Sequence, residues 1–116
     1  MFYITALKFA AMKDNQEILN FLLSEEGIEL NDSTFRGCKS LTQISIPSFI
    51  TSIPKSVFYE CSSLIQVFIP SSVTKIGEYS FYGCLLLSEI SIPTSLTEIG
   101  RSAFYGCLSL SQINIP

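Results

Sequence analysis

The sequence predicts an α+β repeat solenoid, a short stack of parallel strands behind an N-terminal helical hairpin. Three observations carry that expectation. Cys38, Cys61, Cys84 and Cys107 recur every 23 residues, and Phe35, Phe58, Phe81 and Phe104 keep the same beat. Each unit ends in a β-branched apolar run closed by proline (Pro47, Pro70, Pro93, Pro116), as a short strand does. Residues 5–26 follow another rhythm, with Leu7, Ala10, Ala11, Ile18, Leu19, Leu22 and Leu23 at helical spacing. A strict period without insertions means stacked turns, because so small a unit cannot bury its own apolar face.

The hairpin occupies residues 1–29. Asp14 with Glu17 reads as a capping box that restarts a helix after a tight turn at Lys13–Asn15. Gly27 suits the left-handed residue just past the second helix. Thr5-Ala6-Leu7-Lys8-Phe9-Ala10 and the later Glu17-Ile18-Leu19, Phe21-Leu22-Leu23 and Gly27-Ile28-Glu29-Leu30-Asn31 resemble an ankyrin repeat. Ala6 replaces the usual proline, and the stretch before Gly27 is one residue longer than the commonest form. One such unit cannot build a groove, so the resemblance implies a cap and no ankyrin-type binding.

The repeats occupy residues 30–116, and Leu30 is already in phase with Ile53, Ile76 and Ile99. The unit is best preserved from Ile76 to Glu98. Its Gly77 (Gly100 in the next copy) opens a turn into one helical or 3₁₀ turn carrying the phenylalanine, and a strand follows. Four copies of F-x-x-C-x-x-L resemble the BspA-type leucine-rich repeat, a class found in cell-surface proteins of bacteria and mucosal protists. That resemblance implies a parallel-strand leucine-rich-repeat stack and adhesion at a cell surface.

Composition bounds the function. Seven basic and ten acidic residues give a net charge of −3, unlike the basic stripe that nucleic acid demands. The imbalance lies in residues 1–32, where two lysines face six acids, while the repeats are near neutral. No segment approaches the roughly 18–20 apolar residues needed to span a bilayer. The apolar start, Met1–Met12, lacks a basic lead and is interrupted by Lys8, so no export signal is expected. The residues alone thus point to the cytoplasm, and the resemblance to the cell surface. The sequon Asn31-Asp32-Ser33 has meaning only in a secreted chain.

Stacked strands lie about 4.8 Å apart, so equivalent residues form columns that can be read separately. Leu41, Ile44 and Ile46 head inward columns, and the Phe and Cys columns pack under the outer arc. An even cysteine count admits bridges, but one identical cysteine per turn suits a ladder of reduced, buried thiols. With no histidine and no C-x-x-C, neither a zinc site nor a Ser-His or Cys-His catalytic pair is available, so no enzyme, metal or cofactor is expected.

Recognition is assigned to the strand face. Its outward columns are Gln43, Gln66, Glu89 and Gln112, beside Ser45, Phe68, Ser91 and Asn114. Phe68 and the nearby Ile65 are apolar where their counterparts are hydroxyls or amides, the makeup of a binding hot spot. Tyr59, Tyr82 and Tyr105 on the outer arc read as a shield for the core. The expected partner is another protein of unknown identity. The rival reading is a structural unit that forms homo-oligomers through an uncapped C-terminal repeat.

Overall fold

The computed structural model describes residues 2–32 and 34–111. Two helices, α1 (Phe2–Met12) and α2 (Gln16–Leu23), precede six short strands: β1 (Gln43–Ser45), β2 (Ser52–Ile53), β3 (Gln66–Phe68), β4 (Lys75–Ile76), β5 (Glu89–Ser91) and β6 (Glu98–Ile99). They form two parallel sheets, ordered β1-β3-β5 and β2-β4-β6. Every pair is shifted by one repeat, as in Gln43 beside Gln66 beside Glu89. One turn of the solenoid is therefore one 23-residue unit. The first sheet lies where the L-x-x-I-x-I pattern predicts it. The second was not anticipated, because a two-residue strand is too short to show alternation.

The outer arc corrects another expectation. The phenylalanine is carried by consecutive turns, not by a helical turn. Ser56, Phe58 and Glu60 N–H donate to the carbonyls of Glu78, Ser80 and Tyr82, and Tyr79, Phe81 and Gly83 N–H donate likewise to Arg101, Ala103 and Tyr105. A helix would spend these amides within its own turn. Here alternate amides cross to the next repeat, and the arc becomes a third ladder. Left-handed residues at Ser56, Tyr79 and Ser102, and again at Glu60, Gly83 and Gly106, accompany the alternation.

Gly77 and Gly100 are required by proximity. A Cβ on Gly77 would lie 2.7 Å from the Lys55 amide nitrogen, and one on Gly100 would lie 2.5 Å from that of Glu78. Beneath the arc, Phe35, Phe58, Phe81 and Phe104 stack face to face at 5.5, 5.2 and 5.3 Å between successive centroids. Such offset stacking adds about 0.5–1.5 kcal/mol per pair beyond the area buried. The Leu41, Ile44 and Ile46 columns expected to point inward are buried through Leu87, Val67 and Ile69, and Ile90 and Ile92 are only partly buried.

The hairpin forms with its joint shifted by one residue. Asn15, not Asp14, is the N-cap of α2, its side-chain oxygen accepting from the Ile18 amide. Asp14 ends α1 instead. At φ +50 it sits in the left-handed position of a Schellman turn, with Asp14 N–H donating to Ala11 and Asn15 N–H to Ala10. Helix α2 stops at Leu23, capped by Ser24, so Gly27, although left-handed at φ +89, lies in the exit loop and not at the helix end. Buried Leu7, Ala10, Ala11, Leu19 and Leu23 join the core of the repeats.

Candidate protein-binding site

The hairpin is fastened to the first strand by side chains that act as backbone. Asp14 Oδ1 accepts from the Thr42 amide at 3.1 Å and Oδ2 from the Thr42 hydroxyl at 2.8 Å. Gln16 Nε2 donates to Asp14 Oδ1 and to the carbonyl of Gln43, both at 2.9 Å. In the next repeat the Ile65 amide, which matches that of Thr42, donates to the backbone carbonyl of Thr42, just before β1. Asp14 thus supplies the acceptor that a preceding repeat would have offered. Burial raises the Asp14 pKa, but the hydrogen bonds from Gln16, the Thr42 amide and the Thr42 hydroxyl outweigh it and leave the carboxyl below its ordinary value.

With this edge of β1 closed, the first sheet presents its outward side chains to solvent. Gln43, Gln66 and Glu89 form one exposed row, and Ser45, Phe68 and Ser91 the other. Phe68, on the central strand, is 53% exposed. Ile65 is 41% exposed just before β3, and its carbonyl accepts from the amides of Ser88 and Glu89. Ser91 proves partly structural, since its Oγ accepts from the Ile69 amide at 3.1 Å. Gln112 and Asn114 lie outside the described residues.

Three hollows join across this face. One of about 360 Å³ runs beside Phe68, Glu89, Ser91 and Leu110. A second of about 120 Å³ shares Gln66 and Phe68 with it and is walled by Gln16 and Asn20 of α2. A third of about 500 Å³ shares Asn20 and Ser45 with the second and reaches Glu26 and Phe49. Phe68 stands between the first two. The sequence reading missed the α2 wall, although Gln16 and Asn20, four apart and polar beside an apolar stripe, carry the signal of a helix edge facing a solvated cleft.

The cysteines contribute packing and hydrogen bonds. All four are free. Cys61, Cys84 and Cys107 Sγ donate to the carbonyls of Phe35, Phe58 and Phe81 at 3.0–3.2 Å, each reaching one repeat back. Burial first, then the neighbouring Cys38 sulfur, pushes the Cys61 thiol up to about 12. Burial lifts Cys107 to about 11 and raises Cys84 and Cys38 as well, the last opposed by Lys8. Thiols held protonated in this way are poor nucleophiles. Among the described residues no metal-binding cluster occurs, and no helix is long and apolar enough to cross a membrane.

Comparison with known proteins gives the architecture a lineage. The model of the BspA type leucine rich repeat region matches residues 5–116 in six copies. Its match begins within the hairpin, so the ankyrin likeness rests on the sequence motif alone. A leucine-rich repeat protein from Bacteroides ovatus has a TM-score of 0.68 and 41% identity, over 70% of this chain and 21% of its own. A leucine rich cell surface protein from Faecalibacterium prausnitzii has a TM-score of 0.68 and 40% identity, over 72% of this chain and 22% of its own. The chain thus spans about a fifth of the length of these solved proteins. No curated protein matches it. With nearly the whole chain matched and the stacked parallel strands in place, this protein belongs to the BspA-type leucine-rich repeat family.

Proposed function

We propose that the chain is a protein-binding repeat module that recognises its partner through the first sheet, with Phe68 as the anchor. The observation that carries this reading is Phe68 itself, more than half exposed at the centre of a sheet whose matching positions are Ser45 and Ser91. Leaving an aromatic ring in water there forgoes burial worth about 1.5–3 kcal/mol. Gln43, Gln66 and Glu89 line the rim, with Ile65 at its corner.

The partner is an extended segment with one large apolar residue near lysine or arginine. Glu89 borders one hollow and Glu26 another. Glu25 and Glu26 follow the C-terminal end of α2, where the helix dipole favours cations. Acids kept at that end support a role in attracting a basic partner. Surface adhesion is the corresponding cellular reading, supported by the description of the Faecalibacterium relative as a cell surface protein.

Selection from a library of linear peptides tests the site. The expected peptides pair an aromatic or aliphatic residue with basic neighbours. Phe68→Ser should weaken their binding at least tenfold with little loss of stability, since serine is what two sister repeats carry. Gln66→Ala and Glu89→Ala should be milder, and Tyr82→Ala on the outer arc should bind normally. A loss confined to Tyr82→Ala would move the site to the convex surface.

A second reading is self-association through the last described turn, where Ile99 and an 81% exposed Leu108 are unburied. Sedimentation over a hundredfold concentration range decides it. A concentration-dependent dimer abolished by Leu108→Ser supports it, and a monomer throughout removes it.

A further inference from the structure

The convex surface holds a further hollow, of about 290 Å³, lined by Arg36, Ser56, Tyr59, Tyr79 and Tyr82. Four features distinguish it. The Arg36 guanidinium lies over the Tyr59 ring at 4.4 Å, and among the described residues it has no carboxylate partner. Ser56 is 5% exposed as a residue, and its hydroxyl bonds to no described residue. Tyr79 stands at a position that is serine in the neighbouring repeats (Ser56, Ser102), on the left-handed backbone that all three share. Tyr79 also sets its ring edge-on to Tyr82 at 5.9 Å, which makes a side wall that the neighbouring repeats lack.

The chemistry of the lining selects the ligand. Tyr59 and Tyr82 stack face to face at 4.8 Å, and Tyr82 stacks on Tyr105 at 5.3 Å, so their faces are occupied by one another. What remains for a ligand is a set of phenol hydroxyls and ring edges, one serine hydroxyl and one guanidinium fork. A fork of this kind grips a carboxylate bidentately, and hydroxyls pair with hydroxyls. The volume suits one small unit rather than a chain. We infer that this hollow is a binding site for a monosaccharide-sized sugar acid, its carboxylate on Arg36 and its hydroxyls on Ser56 and the tyrosines. Free sugar acid and the terminal acidic sugar of a glycan share this chemistry.

The chain has no tryptophan, and three of its five tyrosines line the hollow, so a change in tyrosine emission reports on the site in part, and the Tyr79→Ser variant identifies that part. The intact chain is titrated with glucuronate, with glucose as the neutral polyol and acetate as the bare carboxylate. The expected result is a saturable change with glucuronate and at least tenfold weaker responses to the other two. Arg36→Gln and Tyr79→Ser should each reduce glucuronate affinity at least tenfold. The second is fold-safe because serine is the residue of the neighbouring repeats, and circular dichroism checks both variants. No saturable response to glucuronate overturns the proposal, as does an equal response to glucose or to acetate, or an unchanged affinity in both folded variants. Oligosaccharides ending in glucuronate then separate the two sources: binding tighter than that of free glucuronate assigns the site to glycans, and weaker binding to the free acid. The strand-face reading is untouched by either result, because no residue is shared between the two sites.

Discussion

Ser80 is fully buried, and its hydroxyl has no partner, while the matching position one repeat later is Ala103. An unsatisfied buried hydroxyl costs about 1–3 kcal/mol, and the site already accepts a methyl group one repeat on. Ser80→Ala should therefore stabilise the protein by about 1 kcal/mol, read as a higher urea midpoint with an unchanged slope. A loss would mean that the hydroxyl is satisfied in solution. Single residues of this kind show where sequence reading reaches its limit. The need for glycine at position 77 follows from a backbone 2.7 Å from its missing Cβ, and no local pattern encodes that distance. The exposed placement of Phe68, by contrast, was legible because three sister positions supply an internal control within the sequence itself.

At the scale of elements, the strands of the first sheet were readable and the joint of the hairpin was not. Strand position follows from alternation closed by proline, a signal repeated in every unit. The joint depended on whether Asp14 or Asn15 caps α2, and both residue types are good caps. Tertiary contact decided the matter, since Asp14 is recruited to the edge of β1 by Thr42 and Gln16. This gives the hairpin a pH dependence with a definite sign. The folded-state pKa of Asp14 is lowered, so its stabilisation is present above the unfolded value, near 3.8, and is lost as pH falls through the folded value. Asp14→Asn should cost about 1–2 kcal/mol at pH 7, because hydrogen bonds to an ionised acceptor are replaced by neutral ones. Urea titrations between pH 7 and pH 2 should show the gap to the wild type closing as the carboxylate is protonated. A gap constant across that range would show that the charge of Asp14 does not hold the hairpin.

Across the whole molecule, stability is organised by columns that run through the repeats. Each turn meets only its neighbours, so the same substitution should have a cost set by its place in the stack. Phe81 is fully buried between Phe58 and Phe104, at 5.2 and 5.3 Å, and its carbonyl accepts the Cys107 thiol. Phe104 is only partly buried, and Phe81 is its one stacking partner among the described residues. Phe81→Ala leaves a cavity that two neighbouring turns hold open, and it should cost about 3–5 kcal/mol. Phe104→Ala removes the same atoms where the column is already half open, and it should cost less than half as much. Denaturant titration of the two variants side by side gives the comparison directly. Equal losses would mean that the stack unfolds as a single unit regardless of position, and that the columns do not carry its stability turn by turn.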